Sequence, residues 1–499
     1  MLSKKFFVII LLAAVLFIGG CKTGLFGGGQ APAEQQPQAP PAPVSVDGIR
    51  TSYADVVEKT SPAVVRIEAE HKVTMQSPQS PFGNDDFFRQ FQLPQQRQRQ
   101  QIERGLGSGV IVSADGTILT NYHVIDGAEK ITVSTNDNKT FEGKVVGSDQ
   151  LSDLAVVKID AQNLPFLTLG NSDNVRVGDI VLAIGNPLGI GQTVTAGIIS
   201  AKGRRTGLSD GGTDPYQDFL QTDAPINRGN SGGALVNLSG ELIGINSQIL
   251  SSPGSAGGSI GIGFAIPSNM AKSVMEQLLK DGKVHRGMLG INIQNITGDT
   301  AKALNLKDTE GVLVSNVRPG SAAEKAGIKR GDVITAINGE KIEDSNVLRN
   351  KVAQTAPGTE IKLTVLRDGN AQELTAKLDE FDTSQLKNND SNQGDDDNGS
   401  GKGEQSGKLG LTLQPLTPQI AKQLNVPEGI DGLVVTDVDP AGAAAEGGVA
   451  RGDVISEINR QPVKTLDDVQ SAVAKSSNGP VLLLVTRGGQ TVFLTVRPE

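Results

Sequence analysis

Asn227-Arg228-Gly229-Asn230-Ser231-Gly232-Gly233-Ala234-Leu235 sets one serine among three glycines. It follows Asp223-Ala224-Pro225-Ile226 and precedes Gly240-Glu241-Leu242-Ile243-Gly244-Ile245. A glycine turn by itself is ordinary, but these flanks make this one specific. Glycine on both sides of a hydroxyl lets the backbone bend sharply and lets another chain come close. A serine hydroxyl is too weak an acid to attack an amide near neutrality, so it needs a base within hydrogen-bond reach. Three histidines are present, at 71, 123 and 285. His123 lies in Leu119-Thr120-Asn121-Tyr122-His123-Val124-Ile125, just after a strand-like run, and Asp153 lies in Ser152-Asp153-Leu154-Ala155-Val156, just before another. A histidine titrates near the working pH, so it can take the serine proton and hand it to a leaving amine. A buried aspartate fixes the tautomer of that histidine and stabilises its charged form. His71 and His285 lack such company and read as structural or exposed.

Attack on an amide creates a tetrahedral oxyanion, which needs backbone N–H groups aimed at one point. Gly229, Asn230 and Ser231 are the candidate donors. Around them, residues 106–267 carry short apolar or β-branched runs: Gly109-Val110-Ile111-Val112, Ile131-Thr132-Val133, Leu154-Ala155-Val156-Val157-Lys158-Ile159 and Ile180-Val181-Leu182-Ala183-Ile184. Ala114-Asp115-Gly116, Asp137-Asn138 and Gly185-Asn186-Pro187 mark turns between them. Many short strands with regular turns predict a barrel or sandwich. Met270 to Asp281 reads as a helix with Ser268 as its N-cap.

The chain has 499 residues, enough for about three domains. Its 46 Lys and Arg against 55 Asp and Glu give a net charge of −9, which argues against a nucleic-acid binder working through phosphate neutralisation. A single cysteine excludes a disulfide framework. The cysteine and the histidines form no metal-ligand pattern, and no cofactor motif is present, so neither a metal nor a cofactor is expected. Only one long apolar run exists, which excludes a polytopic membrane protein.

That run, Phe6 to Ile18, follows Lys4 and Lys5 and precedes Gly19-Gly20-Cys21. It is too short for a comfortable span of about 20 residues but suits a secretory signal. Residues 1–21 resemble a bacterial lipoprotein signal, with Cys21 as the lipidated N-terminus and a membrane anchor. Lys22 is not the aspartate that retains lipoproteins on an inner membrane, which points to the outer one. Residues 22–48 are rich in Gly, Pro, Gln and Ala and read as a tether. Residues 75–101, with Phe82, Phe87, Phe88 and Phe91, read as a long loop inside the first domain.

The C-terminal part repeats. Gly311-Val312-Leu313-Val314 recurs as Gly432-Leu433-Val434-Val435, Gly331-Asp332-Val333-Ile334 as Gly452-Asp453-Val454-Ile455, and Asn338 as Asn459. Each pair is separated by 121 residues, which marks two copies of one module. Residues 382–407, with Asp395-Asp396-Asp397, read as an acidic linker without the ligand spacing of a calcium loop.

Residues 53–499 resemble the HtrA/DegP (Do-like) serine proteases. The resemblance rests on the segments around His123, Asp153 and Ser231 and on two PDZ-like modules. It implies a mainly β chain: a chymotrypsin-like double β-barrel protease domain (49–284), followed by two PDZ-like α+β domains (285–381 and 408–499). It implies an ATP-independent periplasmic or cell-envelope serine endopeptidase that degrades unfolded or damaged exported proteins, with a homotrimer as basic unit and larger cages built from it. Ile226 and Gln248-Ile249-Leu250 look like the wall of a small apolar specificity pocket suited to Val, Ile or Ala. Residues 201–219 and 248–262 look like loops that order the site. PDZ modules add an extended peptide to a sheet edge. Met288-Leu289-Gly290-Ile291 is the candidate loop for a C-terminal carboxylate in the first copy, and Leu409-Gly410-Leu411 in the second. Helices near 345–356 and 466–477 would form the far walls. Two other functions remain open at this point: a peptide-binding chaperone with incidental proteolysis, and a stress sensor cutting one signalling protein.

Overall fold

The computed structural model describes residues 45–46, 49–50, 52–74, 100–186, 191–206, 216–227, 229–249, 258–382, 404–406, 409–427, 429–476 and 479–498. The signal segment with Cys21, most of the tether, the phenylalanine-bearing part of the 75–101 loop and the acid run at 395–397 lie outside them. Before Ser52 the described residues form only a short pairing of Ser45–Val46 with Ile49–Arg50.

From Tyr53 onward the chain builds two closed six-stranded barrels. The first uses β1 (Val64–Thr74), β2 (Gln100–Ser113), β3 (Thr117–Thr120), β4 (Lys130–Ser134), β5 (Thr140–Asp149) and β6 (Leu154–Lys158), closed in the order β1-β2-β3-β6-β5-β4. Alternation explains the first strand: Val65, Ile67 and Ala69 are fully buried, while Arg66, Glu68 and Glu70 lie on the wetter face. The second barrel uses β7 (Ile180–Gly185), β8 (Thr193–Arg204), β9 (Phe219–Thr222), β10 (Ala234–Asn237), β11 (Leu242–Ile249) and β12 (Gly263–Pro267), closed in the order β8-β9-β12-β11-β10-β7. Closure leaves neither sheet with a free edge. Three of the four strand runs predicted from the sequence fall wholly inside these strands, and the fourth, Leu154–Ile159, overruns β6 by one residue.

The helix expected over Met270–Asp281 runs Ser268–Asp281, starting two residues earlier than predicted. Ser268 is not its cap. Pro267 holds that position, and the Ser268 hydroxyl donates instead to the Gly170 carbonyl (2.7 Å), tying the helix to the segment that joins the two barrels.

The two C-terminal modules repeat in structure as in sequence. Val312–Val317 and Leu433–Val438 are equivalent strands, as are Val333–Ile337 and Val454–Ile458. Each module buries one aspartate against one arginine. Asp332 accepts from Arg367 Nε and Nη2, both at 2.7 Å, and Asp453 accepts from Arg487 Nε (2.6 Å) and Nη2 (2.7 Å). The linker ends earlier than 407: Glu404–Ser406 pairs with Leu411–Leu413 along an edge of the second sheet.

Breaking a buried pair by removing one partner leaves an uncompensated charge and costs about 3 kcal/mol or more. Arg367→Ala is therefore expected to destabilise the first module by about that amount, read by calorimetry of the full chain. A loss below about 1 kcal/mol would show that Asp332 finds water or another donor.

Candidate active site

Chain geometry brings His123 and Asp153 together from the first barrel. His123 sits on the short helix Tyr122–Ile125 that follows β3. Asp153 lies between the 3-10 turn Gln150–Ser152 and β6, in the left-handed region at φ 53°. That conformation costs a non-glycine residue about 1 kcal/mol, and several hydrogen bonds hold it. His123 Nδ1 lies 2.9 Å from both Asp153 carboxylate oxygens, and the His123 backbone N–H donates to Oδ1 (3.1 Å). Asn121 Nδ2 donates to the Asp153 carbonyl (3.0 Å). Nδ1 thus carries the proton, which leaves Nε2 as the free base. Partial desolvation of the ring favours its neutral form. The hydrogen bond and charge of Asp153 outweigh this and raise the His123 pKa above its usual 6.5.

The turn that presents Asp153 is itself anchored. Asp149 caps it by accepting from the Ser152 N–H (2.9 Å). Arg286, at the start of the first PDZ module, donates to Asp149 from both terminal nitrogens, and both side chains are buried.

Ser231 comes from the second barrel, and its hydroxyl points elsewhere than expected. It donates to the Ser247 carbonyl (2.9 Å) and makes no hydrogen bond to His123. Ser247 joins the two halves, because its own hydroxyl donates to Asp153 Oδ2 (2.8 Å). Sequence reasoning missed Ser247. It precedes the predicted pocket wall, and nothing local in Ile245-Asn246-Ser247 announces a bond to a residue 94 positions away.

The glycines around Ser231 are required by space. Gly232 adopts φ +81°, and a Cβ there would meet the Ser108 carbonyl oxygen at 2.1 Å. The hydrogen bonds of the loop can be followed group by group. Asn230 N–H donates to Asn227 O (2.9 Å), Gly232 N–H to Asn246 O (2.7 Å) and Gly233 N–H to Asn230 O (2.9 Å). The Asn230 N–H is therefore engaged in the turn, which corrects its assignment as an oxyanion donor. The N–H groups of Gly229 and Ser231 have no acceptor among the described residues.

Ile226 is fully buried in an apolar cluster with Val181, Ile199 and Leu235 and packs against Gly263, where a Cβ would lie 2.9 Å from Ile226 Cδ1. Gln248 and Ile249 end β11. Leu250 lies outside the described residues. His285 is engaged with Glu380 (2.7 Å), and His71 sits in β1. Among the described residues no three His, Cys, Asp or Glu side chains converge as a metal site, and no helix is long and apolar enough to cross a membrane.

The candidate carboxylate loop Met288-Leu289-Gly290-Ile291 lines a cavity of about 440 Å³. Leu348, Arg349 and Val352 of the helix Ser345–Gln354 form its far wall, and Arg318 also faces it. Gly290 takes φ +75°, and the carbonyls of Leu289 and Gly290 accept from Ala323 N–H (2.9 Å) and Arg318 N–H (2.8 Å). Tyr216 of the protease domain lines the same cavity and stacks under the Arg286 guanidinium at 4.8 Å. In the second copy, the strand beside Leu409-Gly410-Leu411 is already paired with Glu404–Ser406.

Comparison with known proteins agrees with this architecture. A trypsin-like peptidase domain model matches residues 107–245, and PDZ domain models match 287–378 and 434–487. A probable periplasmic serine protease of the Do/HhoA-like type from Haemophilus influenzae is 44% identical over 459 residues, 90% of this chain and 92% of that protein. A probable periplasmic serine endoprotease, DegP-like, from Chlamydia pneumoniae is 39% identical over 500 residues, 97% of this chain and 98% of that one. Among solved structures, the HtrA-type protease AlgW with a decapeptide is 43% identical, with a TM-score of 0.53, covering 66% of this chain and 99% of that one. The chain belongs to the HtrA/DegP family of periplasmic serine endopeptidases.

Proposed function

We propose that this endopeptidase cleaves unfolded or damaged exported proteins through an acyl-enzyme, with Ser231 as nucleophile, His123 as general base and acid, and Asp153 orienting His123. The observation that carries the reading is the pair of 2.9 Å contacts from His123 Nδ1 to Asp153, which leaves Nε2 deprotonated and available. In the first step the Ser231 hydroxyl leaves the Ser247 carbonyl by rotation about its Cα–Cβ bond. Its proton passes to Nε2 as Oγ bonds to the scissile carbonyl carbon. The resulting oxyanion takes hydrogen bonds from the Gly229 and Ser231 N–H groups. His123 then gives the proton to the amine as the C–N bond breaks, and water repeats the sequence on the ester. Each oxyanion donor typically contributes ~3 kcal/mol of transition-state stabilisation.

Ile226 and the segment 248–250 form the specificity wall in this reading, which takes a small apolar residue before the cut bond. The first PDZ module takes the C-terminus of an extended polypeptide. A cavity between the Met288–Ile291 loop and the helix Ser345–Gln354 supports this, as does the peptide held by the similar AlgW structure. The second module serves assembly, since Glu404–Ser406 already pairs along the sheet edge a peptide would use. A homotrimer, its larger cages, and anchorage of the envelope enzyme to the outer membrane through a lipid on Cys21 complete the reading.

Ser231→Ala is expected to reduce hydrolysis of unfolded casein by on the order of 10⁶ while leaving the melting transition in place. Equal degradation by both proteins would remove Ser231 from the mechanism. The acid limb of kcat/KM is expected above pH 6.5, where His123 loses its proton. Asp153→Asn removes the charge that raises this pKa, so the limb moves to lower pH while kcat falls about 10⁴-fold. An unmoved limb would show that another group sets it.

A further inference from the structure

Ser108 is a fully buried serine on β2, in the other barrel from Ser231. Every polar group it carries is engaged. Its hydroxyl donates to the Gly229 carbonyl (2.6 Å) and accepts from the Asn186 N–H (2.8 Å). Its backbone N–H donates to the Ser231 carbonyl (2.8 Å), and its own carbonyl accepts from Thr120 Oγ1 (2.7 Å). Two carbonyls of the nucleophile loop, two residues apart, are thus held by one residue of the opposite barrel.

We propose that the Ser108 hydroxyl is a positioning group for the oxyanion-binding amide of Ser231. This deepens the reading of Ser231 as nucleophile and rests on it. The peptide unit joining Gly229 to Asn230 is pinned at both ends, its oxygen by Ser108 and its N–H by Asn227 O. The unit joining Ser231 to Gly232 is pinned by the Ser108 N–H and by Asn246 O. The unit between them is held at its oxygen by the Gly233 N–H. Three consecutive peptide planes therefore have fixed orientations, and the Ser231 N–H, carried by the middle one, has no acceptor among the described residues.

The loop needs this restraint because Gly229 and Gly232 sit at φ +94° and +81°. Glycine passes between backbone regions at little cost. With the hydroxyl absent, the Ser108 N–H would still hold the Ser231 carbonyl, but as a single pivot. The Gly229 carbonyl would be a buried acceptor without a donor, and turning about its glycine would satisfy it elsewhere. Such a turn rotates the Ser231 N–H away from the developing charge. Ground-state binding of the peptide does not depend on the oxyanion donors and would be untouched. A misaimed oxyanion site lowers kcat rather than raising KM.

The test compares full-length wild type, Ser108→Ala, Ser108→Thr and Ser231→Ala on one fluorogenic peptide with an apolar residue before the cut bond. Melting is followed for each. Affinity is measured for a peptide boronate, whose tetrahedral adduct on a serine places an oxygen where the oxyanion forms. Ser108→Ala is expected to lower kcat by about 10- to 100-fold, with KM within about twofold, and to weaken the boronate by the same factor as kcat. Ser108→Thr keeps the donor and is expected to recover most of the rate. If Ser108→Ala melts below the assay temperature, Ser108→Cys, of similar size and a poor donor, is expected to show the same kcat-only loss. An unchanged kcat, or a boronate affinity that does not fall with it, overturns the role of Ser108. If instead Ser231→Ala hydrolyses the peptide as fast as wild type, the reading of Ser231 fails and this inference with it.

Discussion

The Asp153 carboxylate is where the two barrels become one site. Its Oδ1 and Oδ2 take the ring and backbone N–H of His123 from the first barrel and the hydroxyl of Ser247 from the second. Hydrogen bonds to a charged acceptor are worth ~1.5–3 kcal/mol each, against about 1 kcal/mol for the left-handed backbone of Asp153. The balance favours the strained conformation comfortably. Ser247 then passes the connection on, because its carbonyl holds the Ser231 hydroxyl. The Ser231 hydroxyl is thus tied to the Asp153 cluster through Ser247.

The same logic of shared anchors extends outward. Asp149, four residues before Asp153, takes both the cap of the turn and the Arg286 guanidinium. Arg286 opens the first PDZ module, and its backbone carbonyl accepts from Phe381 at that module's end (2.9 Å). Phe381 meets Tyr216 edge-on at 5.9 Å, and Tyr216 lines the cavity beside the Met288–Ile291 loop. The cavity and Asp153 are therefore joined through contiguous packed groups, two of which belong to the protease domain.

Much of this was legible in the sequence, and the reason is locality. Ser231 with its glycines, His123 after a strand and Asp153 before one are each short segments, and their flanks state the strand or turn that carries them. The repeat was legible because strands, helix starts and buried aspartates recur at one spacing. What was not legible depends on partners far along the chain. Ser108 and Gly229 are 121 positions apart, and Ser247 and Asp153 are 94 apart. A serine in a strand carries no sign of such a bond. Asn230 was misassigned because three adjacent amides look alike in sequence, while the turn engages only the middle one. Ser268 was misread as a cap because the carbonyl of Gly170, 98 positions away, competes for its hydroxyl.

The proposed mechanism needs a single serine made nucleophilic by a single histidine, and a reagent that reports that property alone tests it most directly. A fluorophosphonate forms a P–O bond to an activated serine as fluoride leaves, and peptide mapping by mass spectrometry locates the adduct. One adduct, on the peptide carrying Ser231 and lost in His123→Ala, is the predicted result. An adduct on a different serine, or labelling of Ser231 that survives loss of the imidazole, would contradict it.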